Sequence, residues 1–406
     1  MKQAHVLVVG GLDHTLDKLD QLGIRYSMMQ TLARVNERQY RAATRYAVMD
    51  YEDMEEVLLL ARAWHARDPF DAVVSFTEYG LHPASQCAID LGIPGDNLEA
   101  VLHTRDKIDM RELLGRHGLS PVRYQVCQTV DDAKRFFRSL EGEGMVLKPF
   151  AGGLSEGVFF VDAEEDLEAR WNGSREVMDG PILAEEFLHG PEFSVESLSI
   201  NGQHLIAMIT EKETTALPRF IELGHQVPAR LDEAQQAAVK ELVSRFLDII
   251  GQKTGPAHTE IRLTPSGPRI IESQTRVGGD QIWEMCEMVS GVNLTGETVA
   301  VLTDIPRPER KPVAKAAAIR FFSYENARIL DVRGIERAQG APGVIRLECQ
   351  LQAGQRYETL KSSNSRQGYV LCVGDTIEQA VANAEAARDA VQVAWEPLTA
   401  QSGGLG

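Results

Sequence analysis

The 406-residue chain is short of cysteine, short of basic charge and without any long apolar run. Its five cysteines, Cys87, Cys127, Cys286, Cys349 and Cys372, are scattered, odd in number and include no C-x-x-C pair. That spacing offers neither a disulfide framework nor a zinc site and fits reduced thiols. Lysine and arginine total 42 against 59 aspartates and glutamates, a formal net charge of −17. An acidic chain without a concentrated basic face is a poor partner for nucleic acid, so any phosphate it binds must meet a local set of cations. No stretch reaches the length of apolar sequence that a membrane-spanning helix needs. The opening MKQAHVLVVGGLD carries a run only as long as a strand and lacks a signal-peptide cleavage pattern. The expectation is a cytoplasmic protein that acts on small molecules, with neither nucleic acid nor membrane as partner.

What is present is ordinary globular composition in a chain long enough for two or three packed subdomains. The run 5–10 (HVLVVG) reads as a buried parallel strand leading into a helix from Asp13, and 71–76 (DAVVSF) repeats it after a helical stretch at 54–66. An open α/β domain over residues 1–105 follows. Gly10 and Gly11 lack the G-x-G-x-x-G spacing and read as a structural turn. Next come a helix at 106–118, a helix at 131–140 and a strand at 144–149 (GMVLKP). The small-residue loop 150–157 (FAGGLSEG) and a returning strand at 157–161 then form a flap. Strands at 182–187, 192–200 and 203–209 precede an amphipathic helix at 232–250. Strands at 257–263 and 269–274 form a hairpin around TPSGP, and a helix follows at 281–289. Boundaries are expected at 106–195, 196–312 and, past the linker DIPRPERKP, 313–400, the last unit holding a helix at 376–391 and ending in a frayed tail after Glu396.

Phosphate chemistry needs cations and backbone N–H donors at the oxygens, and hard oxygen ligands for Mg²⁺. Lys107 and Lys148 are candidate cations, the second at the end of an apolar strand beside the flap. Gly152, Gly153 and Gly157 let backbone amides approach phosphate, and Ser155 adds a hydroxyl. In ILAEEFLHGPEFSVE the strand-end residues Glu185, Glu186, Phe187 and Leu188 can offer groups to an adenine edge, and Glu192 can accept from both ribose hydroxyls. Taken alone, the segment is equally an acidic turn. The most specific pair is Glu260 in HTEIR and Glu272 in ESQTR, twelve residues apart on one hairpin. Buried carboxylates are costly unless they are paired or bind a metal. Gln274 and Arg276 share their face, the first as an amide-oxygen ligand and the second to stabilise a transferred phosphoryl group.

In this order the residues resemble the ATP-grasp superfamily and, within it, the carboxylate–amine ligases related to bacterial L-amino-acid ligases and dipeptide-antibiotic synthetases. The resemblance implies an α/β (α+β) ATP-grasp fold with a C-terminal lid. It also implies ATP and Mg²⁺, two ions, with Mn²⁺ as a substitute, and a homodimer. It makes Lys107, Lys148, the flap, Glu185 to Leu188 and Glu192 the nucleotide site, and Glu260, Glu272 and Gln274 the metal site. Carried by FIELGHQVP, HTEIR and the Glu272 to Arg276 spacing, the resemblance implies that Glu222 and His225 lie by the reacting carboxylate, with Arg276 on the acyl phosphate and Gly278, Gly279 and Asp280 lining the substrate pocket. The chain departs from the family in having Gln274 where many members have Asn, and Asp280 where dipeptide-forming members carry a bulky aromatic. Asp280 would suit a cationic amino group, and Glu222 and Asp280 are the candidate bases. Two rivals are a purine-biosynthesis or carboxylation enzyme of the same superfamily, for which FIELGHQVP offers no basic cluster, and a non-catalytic nucleotide-binding regulator, against which the intact Glu260, Glu272 and Arg276 count.

Overall fold

A computed structural model describes residues 3–153 and 155–398. Leu154 of the flap and most of the tail expected to fray, 399–406, lie outside the described residues. Contacts divide the chain into two units, each assembled from three segments. They are 1–121, 193–209 and 231–312 in the first, and 122–192, 210–230 and 313–406 in the second.

The first unit opens on a four-stranded parallel sheet in the order Tyr46–Val48, Arg25–Gln30, His5–Val9, Ala72–Val74. Its interior strand His5–Val9 is buried on both faces, as the apolar run requires. Helices Met54–Arg67 and Glu78–Leu91 pack Val57, Ala61, Ala84, Cys87 and Ala88 against Leu7, Val9 and Val73. A second ladder places the hairpin Gly255–Thr264 and Gly267–Gln274 beside Glu192–Ile200. Helix Glu233–Ile249 is held at its start by a capping box between Asp232 and Gln235, and it buries Val239, Leu242, Val243, Phe246 and Leu247, the spacing of one helical face. The five cysteines are free thiols. Among the described residues no helix is long and apolar enough to cross a membrane.

Behind the parallel sheet Asp96 is buried and accepts the Ser75 backbone N–H at 3.2 Å. Burial pushes its carboxyl from an ordinary value of 3.8 up to about 7. A carboxyl that holds its proton more tightly folded than unfolded adds stability that is full below its ordinary value and is lost as pH rises through the raised one. Melting temperatures taken from about pH 4 to about pH 8 should therefore show Asp96→Asn gaining on the wild-type protein as pH rises. Parallel profiles would show that Asp96 is not the group concerned.

The second unit contains a four-stranded antiparallel sheet in the order Tyr124–Cys127, Ile182–Glu186, Met145–Pro149, Phe159–Val161. Helices Val130–Ser139 and Leu167–Val177 flank it, burying Ala133, Leu167 and Trp171 against Leu147, Val161 and Ala184. A second ladder runs Glu222–Val227, Ala316–Phe321, Gly368–Gly374, Val344–Cys349, with residues 211–214 of strand Gln203–Thr214 paired to its first member. Helix Ile377–Ala390 lays Ala380, Ala384 and Ala387 on that sheet.

Candidate functional site

Two constellations of reactive side chains are built, one within each unit. In the first unit, hairpin pairing sets His258 opposite Gln274 and Glu260 opposite Glu272. The register then passes to Ile261 opposite Ile270, leaving Ile271 as a one-residue bulge. Directly opposed residues share a face, as do alternate ones, so His258, Glu260, Glu272 and Gln274 project together. Adjacent carboxylates repel unless cations answer them. Lys107 Nζ lies 3.2 Å from Glu272 Oε2, and Gln274 Nε2 donates to Glu272 Oε1 at 3.0 Å. Lys107 is the first residue of helix Lys107–Arg116, whose N-cap Asp106 accepts from the Ile108 and Asp109 N–H groups. Buried Arg111 of the same helix donates to the Ile270 carbonyl at 2.9 Å, and the Ile270 N–H donates to Ser120 Oγ at 2.7 Å. The helix is thus anchored beside the bulge.

On the other carboxylate, His258 Nε2 lies 3.4 Å from Glu260 Oε1, while its Nδ1 lies 2.5 Å from Oε1 of the fully buried Glu196. Burial alone would lower the His258 pKa, but the two carboxylates raise it to about 9, so the ring carries its proton at neutral pH. Among the described residues, no group of three or more His, Cys, Asp or Glu is arranged to hold a metal ion. Glu260 and Glu272, 17% and 18% exposed, instead fit an ion such as Mg²⁺ that takes one or two carboxylates and completes its shell with water and phosphate oxygens. Past the strand, Arg276 donates through Nε to Glu78 at 2.8 Å. The Gly278 N–H donates to Glu196, and Asp280 and Gln281 hold left-handed backbones (φ 53° and 62°) ahead of helix Ile282–Ser290.

In the second unit the Lys148 ammonium donates to Glu185 at 2.5 Å, both side chains being buried. Glu186 holds Arg123 at 2.6 Å, and the Phe187 N–H donates to the Gly144 carbonyl at 3.1 Å. The expected flap joins an antiparallel strand pair, with Gly152 and Gly157 at φ 100° and 71°, where only glycine is unstrained. Ser155 Oγ donates to the Phe220 carbonyl at 3.2 Å, and a Cβ added at Gly153 would meet open space.

The pairing of strand Glu222–Val227 explains how two residues three apart come to act together. His225 stands opposite Lys212 and Glu222 opposite Thr214, with Leu223 bulged between them. Without the bulge Glu222 and His225 would face opposite ways; with it they share the face of Lys212. The Lys212 ammonium, 2% exposed, lies 2.8 Å from Glu192 and 3.3 Å from Glu222. Ser363 Oγ donates to Glu222, Arg366 donates to the Glu222 carbonyl at 3.1 Å, and the Arg366 guanidinium stacks 3.7 Å from the centroid of Phe321. The His225 ring packs edge-on to Phe321 at 5.9 Å. Sequence reasoning missed Lys212, Ser363 and Arg366. Lys212 lies in the polar run TEKET, and the other two come from a distant segment, so spacing carried no signal for any of them.

Residues 142–284 match an ATP-grasp domain, and residues 320–396 match the L-amino acid ligase C-terminal domain 2. An L-arginine-specific L-amino acid ligase of Bacillus subtilis is 24% identical over 327 residues, 79% of this chain and 79% of the relative. An alanine–anticapsin ligase of Bacillus subtilis is 25% identical over 285 residues, 63% of this chain and only 59% of that protein's length. The solved L-amino acid ligase from Bacillus licheniformis superposes with a TM-score of 0.81 at 24% identity, covering 98% of this chain and 100% of the other. The chain therefore has the ATP-grasp fold, and its C-terminal match is to a domain of L-amino acid ligases.

Proposed function

We propose that the chain is an ATP-dependent carboxylate–amine ligase that joins an amino acid or small carboxylic acid to an amino acid through an acyl phosphate. The substrate carboxylate takes the γ-phosphoryl group of ATP and releases ADP. The nitrogen of the amine then attacks the acyl carbon, phosphate leaves with the C–O bonding pair, and the amine gives up a proton. Mg²⁺, when bound, links nucleotide phosphates to the protein and neutralises their charge. Glu260 and Glu272 hold it, with Gln274 supporting Glu272. Lys148 and Lys212 supply positive charge to phosphate oxygens, Glu185 to Leu188 take the adenine and Glu192 the ribose. Arg276 stabilises charge on the transferred group. Glu222 and His225 line the reacting carboxylate, Gly278 and Gly279 line the pocket beside it, and Asp280 receives the ammonium of the second substrate. The flap excludes water, which would otherwise hydrolyse the acyl phosphate.

The observation that carries this reading is the hairpin register that sets Glu260 against Glu272 with Lys107 on the second of them. ATP incubated with a matrix of amino acids should yield ADP, phosphate and a product whose mass is the sum of two substrates less one water. AMP in place of ADP would overturn the acyl-phosphate route, and nucleotide hydrolysis with no condensed product from any pair would overturn the ligase.

A further inference from the structure

Glu196 sits in the middle of strand Glu192–Ile200, which is buried on both faces, and has no solvent exposure. A lone carboxylate there would be costly, yet this one is held from three sides. Its Oε1 faces His258 Nδ1 at 2.5 Å and accepts from Ser194 Oγ at 3.3 Å, and its Oε2 accepts the Gly278 N–H at 3.2 Å. The backbone is shaped around the same contact. A Cβ at Gly278 would lie 2.7 Å from His258 Nδ1 and 3.1 Å from Glu196 Oε2, so the glycine is required by space rather than by dihedral angle. The far nitrogen of His258 reaches only one described carboxylate, that of Glu260.

We propose that His258 is a positioning residue for the metal-binding carboxylate Glu260, and that Glu196 is the buried anchor that fixes the ring. Glu196 sets the orientation of the imidazole. The ring then keeps its Nε2 directed at Glu260 Oε1 and so holds that carboxylate in one orientation towards the ion. An outer carboxylate, a histidine and an inner carboxylate form the same chain of restraint that holds ligands in other metal sites. The inference rests on the proposed metal role of Glu260.

Binding of Mn²⁺ to the full-length protein in the presence of ADP, followed by electron paramagnetic resonance, tests it. His258→Asn keeps an amide where Nδ1 meets Glu196 but has nothing at Nε2, so it should weaken Mn²⁺ binding about 10- to 100-fold. ADP affinity measured in EDTA should stay at the wild-type value. His258→Gln, which restores a donor near Nε2, should recover most of the loss. Glu196→Gln, which keeps the shape of the contact without its charge, should weaken Mn²⁺ binding in the same direction and reads the same constant if His258→Asn does not fold. Wild-type Mn²⁺ affinity in these variants, with only the melting temperature lowered, would make the pair a structural one and overturn the proposal. A wild-type protein that binds ADP but no Mn²⁺ would overturn the metal reading itself, a result distinct from the first.

Discussion

Glu272→Gln should reduce ADP formation about a hundredfold or more while the melting temperature stays close to that of the wild-type protein. Glutamine has the size of glutamate and its amide oxygen can still accept from Lys107, which lies 3.2 Å from the native carboxylate. The hairpin therefore has little reason to rearrange. What is lost is one negative charge of the pair that the hairpin sets directly opposite each other, the pair proposed to hold the ion. Metal-borne charge stabilisation is worth several kcal/mol in such transfers, and each 1.4 kcal/mol or so is a factor of ten in rate. Steady-state ADP release with saturating Mg²⁺, alongside a thermal melt, separates the two effects. A variant that turns over at near wild-type rate would remove Glu272 from the metal site.

Lys148→Met should cost stability as well as activity, and the loss of stability should be reversible by a second change. Lys148 and Glu185 are both buried and meet at 2.5 Å. Removing one member of such a pair leaves a buried charge without its partner, a penalty of about 3–5 kcal/mol. The expected fall in melting temperature of the second unit is on the order of 10 °C. Replacing both residues, Lys148→Met with Glu185→Leu, removes the carboxylate together with the ammonium it meets and should restore most of the melting temperature while ATP binding remains lost. A single variant that melts like the wild-type protein would mean that Glu185 has another source of compensation.

Much of this architecture was legible because local chemistry and tertiary structure agree. The apolar run of His5–Val9, the amphipathic stretch 232–250 and the TPSGP turn each have one low-energy outcome, and these elements form where the pattern predicts. The pairing of Glu260 with Glu272 was legible for the same reason, since a tight hairpin fixes which residues oppose. The division of the chain was not. Each unit draws on three separated segments, and no composition shift marks residue 193 or 231 as a return to an earlier unit. Buried partners were also hidden. Glu196 reads as a polar break in a strand, Lys212 as one charge in a polar run, and Ser363 and Arg366 lie about 140 residues from Glu222, whose carboxylate and carbonyl they contact. Such groups are recognised only when the strands that carry them are paired.

The bulges at Leu223 and Ile271 carry a consequence for how the chain can change over generations. A strand writes its side chains in a two-letter rhythm, and each bulge is a single extra beat that puts the following residues back in step with the reactive face. Substitutions at Leu223 or Ile271 leave that rhythm intact, because the count and not the side chain does the work. Loss of the codon for either residue would keep every reactive group in the gene and turn part of them to the wrong side of the sheet. The two positions are therefore tolerant of replacement and intolerant of deletion.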